Sequence, residues 1–86
     1  MFRYKRSVKV SYDRQGYIYF YSRLYKNLDA AGREYIEETA KAAGGVHAEA
    51  VLKFVTTDDG EAKVCREHNL SRATLYRVVG KYYELF

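Results

Sequence analysis

The stretch Cys65–Val79, CREHNLSRATLYRVV, contains the turn that decides how the C-terminal half of this chain folds. Asn69 tolerates a positive φ, and Leu70 places an apolar side chain directly after it. Ser71 is a favoured helix N-cap. The stretch therefore predicts a corner between two short helices, with Cys65 as the small residue that lets the helices cross closely.

The apolar spacing on both sides of this corner sets the bounds of the two helices. The first is predicted over about 59–68, because Asp58 and Glu61 form a pair that resembles a capping box. The second is predicted from after Ser71 to about Glu84. Its expected buried face consists of Leu75, Val78, Val79 and Tyr82.

The opposite face of the second helix carries the residues expected to contact a partner. A helix that enters the major groove of DNA presents polar side chains one turn apart, away from the core. The candidates for contacts to DNA bases are Arg72, Ala73, Tyr76 and Arg77. The candidates for contacts to the DNA backbone on this helix are Ser71, Thr74, Lys81 and Tyr83.

The segment from Glu61 to Gly80 resembles the helix-turn-helix of site-specific recombinase DNA-binding domains and of sigma-factor region 4. The resemblance implies a recognition helix whose DNA contacts are Ser71, Arg72, Ala73, Tyr76 and Arg77. It also implies a small transcriptional regulator of a mobile genetic element. Two positions depart from the pattern. Asn69 stands where glycine is commonest, and Gly80, which costs about 1 kcal/mol relative to alanine, is expected to bend or end the recognition helix.

Charge is distributed unevenly along the chain. Residues 1–26 hold seven basic residues and one acidic residue, a net charge of +6, whereas residues 27–62 have a net charge of −5 and residues 63–86 of +3. Basic segments at both ends indicate an anionic partner such as nucleic acid. Residues 1–10 are predicted to form a basic arm, as in homeodomains and recombinases, or else a solvated terminus. The arm's candidate contacts to the DNA backbone are Arg3, Lys5 and Arg6.

The first half of the chain predicts a helix over about 12–27. Its apolar stripe consists of Tyr17, Ile18, Tyr21, Leu24, Tyr25 and Leu28. A β-hairpin over residues 7–21 is an alternative, since Val8, Val10 and Tyr12 alternate before a run of β-forming residues. Three tyrosines of the stripe are also a candidate dimer or partner face: Tyr17, Tyr21 and Tyr25.

Two further helices complete the expected fold. The next one runs from about Asp29, its N-cap, to Ala43, where two glycines stop it, and another covers about 47–56. The expected buried residues of these two helices are Tyr35, Ile36, Thr39, Ala40, Ala43, Val51, Phe54 and Val55. The prediction is one all-α domain of five helices, with a basic arm (1–10), a helical pair (11–45) and a three-helix unit (46–86).

Nothing in the sequence points to catalysis, a cofactor or a metal. Cys65, His68 and His47 lack a fourth ligand and a CxxC spacing, so no metal site is expected. The single cysteine fits the reducing cytoplasm. The longest apolar run, Tyr17–Tyr21, is far below the roughly 20 residues that span a bilayer, and no apolar leader occurs at the start. A soluble cytoplasmic protein is expected, with no membrane or small-molecule partner.

Two hypotheses about function remain open at this level. The first is sequence-specific binding of double-stranded DNA by helix 72–84, in a protein that forms a homodimer to read two half-sites. The second is a protein-interaction module, or an inhibitor, that docks on a nucleic-acid-processing enzyme. The basic ends of the chain favour the first hypothesis, because DNA binding depends on neutralising phosphates.

Overall fold

The fold is entirely helical in a computed structural model that describes residues 2–86. The helices are α1 (Tyr12–Arg23), α2 (Ala30–Gly44), α3 (Ala48–Thr56), α4 (Glu61–His68) and α5 (Arg72–Leu85). Single turns of 3-10 helix occur at Tyr25–Asn27 and Gly45–His47. No strand occurs within residues 2–86, so the all-α prediction is confirmed and the hairpin alternative for residues 7–21 is wrong.

Helix α1 begins where the sequence predicts but presents a different face to the core. Ser11 caps it by accepting a hydrogen bond from the Arg14 backbone N–H, and the helix ends at Arg23, a turn before the predicted end. Of the predicted stripe, only Ile18 is buried; the other members are partly buried or, like Tyr17 and Leu24, exposed. The other buried positions of α1 are the polar residues Gln15 and Ser22.

Helix α2 follows its capping signals. The Asp29 carboxylate accepts a hydrogen bond from the Gly32 N–H at 2.8 Å, and Gly45, with φ of 56°, ends α2. Both features agree with the sequence prediction. Two predicted core residues are less buried than expected, since Tyr35 is exposed and Phe54 is only partly buried.

The core lies between α2, α3 and α5, with one helical turn of α1 and of α4 added to it. Its fully buried side chains include Ile18, Ile36, Val51, Val64, Leu75 and Tyr82. Helix α5 contributes most, and its predicted buried face is confirmed at all four positions. Helix α4 starts at Glu61 rather than at residue 59, because Gly60 is the N-cap and Asp58 instead forms an ion pair with Arg23.

The N-terminal segment (residues 2–10) is folded against α1 and α5 and is not a free arm. The Gln15 side chain holds it: the amide oxygen accepts from the Lys5 N–H at 2.8 Å, and the amide nitrogen donates to the carbonyls of Lys5 and Val10, both at 3.0 Å. Gln15 is 0% exposed. These bonds satisfy a buried side chain and three backbone groups at once.

Gly80 is the point at which the N-terminal segment crosses α5. A Cβ atom at this position would lie 3.3 Å from the Cγ2 atom of the buried Val8 side chain. The predicted bend or early end at Gly80 is wrong, because α5 continues without interruption to Leu85. The glycine instead gives the room that lets the N-terminal segment lie close to the helix.

A buried hydrogen bond joins α1 to α5. The hydroxyl groups of Ser22 and Tyr82 lie 2.7 Å apart, and both side chains are buried. Burial raises the pKa of Tyr82 to about 12, with the Ser22 hydrogen bond opposing part of the shift. No helix within residues 2–86 has the length and apolar character that crossing a membrane requires.

Replacing Gln15 with leucine should destabilise the fold by about 2–3 kcal/mol, because three backbone groups lose their partner while the volume is kept. Urea denaturation measures this loss. The Lys5 amide should also exchange its hydrogen much faster in the variant, while amides of the α2–α3 core keep their order of protection. A loss of stability with an unchanged Lys5 exchange rate would contradict the anchoring role.

Stability should fall as the pH rises from about 10 to 12, because the pKa of Tyr82 is higher in the folded state than its ordinary value of 10.0. Its contribution is complete below pH 10 and decreases by about 2 kcal/mol as the pH approaches 12. Tyr82→Phe should cost about 1 kcal/mol at neutral pH and make the alkaline decrease shallower. Denaturation curves between pH 8 and 11.5 test this, with Tyr12→Phe, at an exposed ring, as a control that should follow the wild type. An equal alkaline decrease in Tyr82→Phe would refute the assignment.

Candidate nucleic-acid interface

The corner between α4 and α5 is built from the turn residues that the sequence indicates. Asn69 adopts a left-handed conformation with φ of 56° and ψ of 53°, and it is the only non-glycine residue with positive φ in the described part of the chain. The Leu70 N–H donates to the Cys65 carbonyl at 3.1 Å. The Ser71 hydroxyl then caps α5 by accepting from the Thr74 N–H at 3.1 Å. The chain therefore reverses within three residues.

Val64 is the residue of α4 that closes the inside of this corner. Val64 is fully buried, whereas Cys65 and Leu70 are only partly buried and pack against the core. The sequence pattern predicts Cys65, and not Val64, at this inner position. The composition of α4 could have corrected this choice, because Val64 is the one branched aliphatic residue among its eight positions.

The exposed surface of α5 divides into two stripes. At about 100° per residue, Ala73 and Arg77 point directly away from the buried face, and Lys81 follows on the far side. All three side chains are exposed. Arg77 and Lys81 make no ion pair with any other described residue. This outward stripe is therefore open to an anionic partner.

The other stripe of α5 faces a cleft and contains two predicted base-contacting residues. The Arg72 Nε atom lies 3.4 Å from a carboxylate oxygen of Glu61, in a pair whose Arg72 side chain is mostly exposed. Such exposed pairs contribute little and exchange easily. Tyr76 is exposed and lines the cleft. Arg72 and Tyr76 thus lie beside the outward stripe and not within it.

Three of the side chains predicted to contact the DNA backbone are hydrogen-bonded or buried within the fold. The hydroxyl groups of Ser71 and Thr74 already bond each other at 3.0 Å as part of the helix cap. The expectation that Tyr83 touches phosphate is wrong, because its side chain is only 4% exposed. Burial also raises the pKa of Tyr83 well above its ordinary range, so its hydroxyl stays protonated.

The predicted arm residues also differ in their exposure to solvent. Arg3 and Arg6 are exposed, whereas the Lys5 ammonium lies 4.4 Å from the centroid of the Tyr83 ring. Burial lowers the pKa of Lys5. Because Val8 rests on Gly80, the N-terminal segment runs next to α5.

An open cleft of about 670 Å³ lies between the N-terminal segment, α1, α5 and the loop that joins α3 to α4. Its walls are of opposite charge, since that loop and the first residue of α4 contribute Asp58, Asp59 and Glu61, and the other wall contributes Arg3 and Lys5. Asp59 is paired with Lys53 at 3.8 Å and Lys63 at 3.3 Å. The carboxylates beside the cleft are thus paired with basic side chains, whereas Arg77 and Lys81 on the outward stripe of α5 are not paired with any carboxylate of the described residues.

The three tyrosines predicted as a dimer or partner face do not form one exposed surface. Tyr17 is exposed and stacks on Tyr21 with ring centroids 5.7 Å apart, but Tyr21 and Tyr25 pack against the core. The Tyr25 hydroxyl also donates a hydrogen bond to Glu37 on α2. The exposed aromatic surface of α1 lies further round the helix, at Tyr12 and Phe20.

The corner, the outward stripe of α5 and the N-terminal segment are the features that bear on function. No group of three or more histidine, cysteine or acidic side chains within residues 2–86 is placed to hold a metal ion. The sequence matches no protein-family model, and no curated protein and no solved structure is significantly similar to the chain.

Proposed function

We propose that the protein binds double-stranded DNA with α5 in the major groove and the N-terminal segment along the neighbouring backbone. The observation that carries this proposal is the α4–α5 corner, where Asn69 reverses the chain, Ser71 starts α5 and Arg77 faces solvent. We interpret α3, α4 and α5 as the helix-turn-helix unit of a five-helix domain. In such units the second helix of the corner reads base edges from its first turns.

The side chains of α5 have separate roles in this proposal. Arg77 is the main base contact, because a guanidinium bonds the O6 and N7 atoms of guanine in a bidentate way. Ala73 is small enough to meet a thymine methyl group. Lys81, with the hydroxyls of Ser71 and Thr74, contacts phosphates. Arg72 exchanges Glu61 for DNA, and Tyr76 lies at the edge of the groove.

The N-terminal segment adds affinity without reading sequence. Arg3, Arg6 and Lys9 are exposed and lie on a segment that Gln15 and Gly80 hold beside α5. Holding these charges in place avoids the entropy cost of ordering a free arm. Their contacts to phosphate are expected to fix the register of α5 on the duplex.

The resemblance of residues 61–80 to recombinase and sigma-factor DNA-binding units supports a role as a small transcriptional regulator of a mobile genetic element. One corner of this size reads only a few base pairs. We therefore propose that two copies act at a pseudo-palindromic site. Half-sites about 10 base pairs apart, one turn of the duplex, would place both α5 helices on the same side of the DNA.

Arg77→Ala should weaken binding to a preferred duplex by about 1–3 kcal/mol, with a much smaller loss on random duplexes, because a base contact is lost. The preferred site comes from selection on a randomised duplex library, and fluorescence anisotropy gives both affinities. Lys41→Ala, which removes the same charge from the exposed face of α2, is the matched control and should bind normally. Equal losses on every sequence would assign Arg77 to phosphate, and no binding to any duplex at 50 mM salt would reject the proposed function.

Replacing both Arg3 and Arg6 with alanine should lower affinity on all sequences alike and flatten the dependence of log K on log salt by about 1–2, because each lost phosphate contact changes the slope by about 0.9. Titrations at four salt concentrations measure this slope. Lys41→Ala is again the control for net charge. An unchanged slope would remove the N-terminal segment from the interface.

A further inference from the structure

Helix α1 buries two polar residues beside Ile18 and exposes several large apolar ones. The buried residues Gln15 and Ser22 are 0% and 1% exposed, whereas Tyr12 is 62% exposed and Phe20 61%. Tyr17 and the C-cap Leu24 are also about half exposed. A surface helix of a globular protein normally shows the reverse pattern, with its apolar stripe turned to the core. The outward side of α1 therefore presents an apolar surface that the fold leaves uncovered.

This surface continues onto the start of the N-terminal segment. The Phe2 ring centroid lies 5.5 Å from that of Tyr12 and 5.6 Å from that of Tyr19, and Tyr4 lies 5.9 Å from Tyr12. We call the whole surface the α1 aromatic face; it comprises Phe2, Tyr4, Tyr12, Tyr17, Phe20 and Leu24. A shallow pocket of about 400 Å³ beside Phe2 and Phe20 is lined by these two residues, Tyr19 and Arg23.

The size of the α1 aromatic face suits one helix or one extended segment of a partner. A large aromatic side chain can bury about 150–250 Å², so side chains that are roughly half exposed offer about 500 Å² together. That is at the upper end of the largest apolar patch on a typical monomer. It is less than the roughly 800 Å² that each partner contributes to a standard interface between globular proteins.

The charge around the α1 aromatic face selects an anionic partner. The Arg14 guanidinium lies 5.4 Å from the centroid of the Tyr17 ring, and Lys26 follows Leu24 by two residues. Both side chains are exposed and have no carboxylate partner within residues 2–86. Asp13 is the one acidic residue among residues 1–26, whose net charge is +6. A second copy placed face to face would bring two such charges together, and like charges across an interface are unfavourable.

The packing of the rings favours an apolar side chain over stacked nucleic-acid bases. The Tyr19 and Phe20 rings meet at an angle of 88° with centroids 5.0 Å apart, and the Phe2 and Tyr12 rings meet at 61°. In these edge-to-face arrangements the edge of one ring covers a face of the other, and the rings are far from parallel. Stacking platforms for single strands need ring faces that are free.

We propose that the α1 aromatic face binds an acidic amphipathic helix of another protein. An apolar side chain of that helix enters the pocket between Phe2, Tyr19 and Phe20, as in other helix-in-groove complexes. Glutamate or aspartate side chains on its flanks lie near Arg14 and Lys26. The interaction does not depend on DNA binding through α5 and provides a second, separate surface for a protein partner.

The test uses the full chain labelled with ¹⁵N and a synthetic 18-residue helical peptide that carries leucine on one face and glutamate on the other. Amide resonances of α1 and residues 2–4 should shift on titration. Phe20→Ser and, independently, Leu24→Ser should weaken binding at least tenfold, since the contact area is lost while both sites are exposed. Val46→Ser is the matched control, because Val46 is 95% exposed at the α2–α3 turn. A peptide with lysine in place of glutamate should bind at least tenfold more weakly.

Three results would overturn the proposal. The first is the absence of shifts at millimolar peptide. The second is that single-stranded oligothymidine, and not the peptide, shifts the α1 resonances. The third is a wild-type dimer in light scattering that Phe20→Ser converts to a monomer while Val46→Ser does not, which would identify a second copy as the occupant.

Discussion

Three hydrogen bonds between the Gln15 side chain and the backbone of Lys5 and Val10 hold the N-terminal segment on the helices, and the side chains exposed at the surface depend on this attachment. They make residues 2–10, which carry four basic and two aromatic side chains and which the sequence presents as an arm, part of the fold. With the segment fixed, Val8 seals the surface of α5 at Gly80, and Phe2 joins the rings of α1. A buried carboxamide has to satisfy its donor and acceptor groups, so its position determines where the segment lies.

The need to satisfy buried polar groups also explains which face of α1 points toward the core. Gln15 and Ser22 can be buried only where backbone groups or Tyr82 meet their polar atoms, and both partners lie on the core side of α1. Turning these residues inward places Tyr12 and Phe20 outward. An aromatic surface for a partner is thus a direct consequence of anchoring the N-terminal segment. One helix serves both the internal polar network and the proposed protein interface.

The two proposed surfaces are electrostatically related but separate in space. The acidic loop at residues 58–61 lies between α1 and the first turn of α5, and it pairs with Arg23, Lys53, Lys63 and Arg72. It therefore neutralises the cleft and leaves the exposed positive charge on the outward stripe of α5 and around α1. An anionic duplex and an acidic helix would each find a basic surface without competing for the cleft.

The sequence by itself determined the features that depend on neighbours a few residues apart. The Asn69 turn, the Asp29 and Ser71 caps, the all-α class and the buried face of α5 follow from local conformational preference and from a 3.6-residue period. Tertiary structure alone decided the burial of Gln15, Ser22 and Tyr83, the contact of Gly80 with Val8 and the end of α1. These depend on partners at least 10 residues away, such as Ser22 with Tyr82. A polar residue in a periodic pattern is predicted to be exposed, because a hydrogen-bond partner that is distant in sequence does not show in the pattern. For this reason the sequence does not predict which face of α1 is buried.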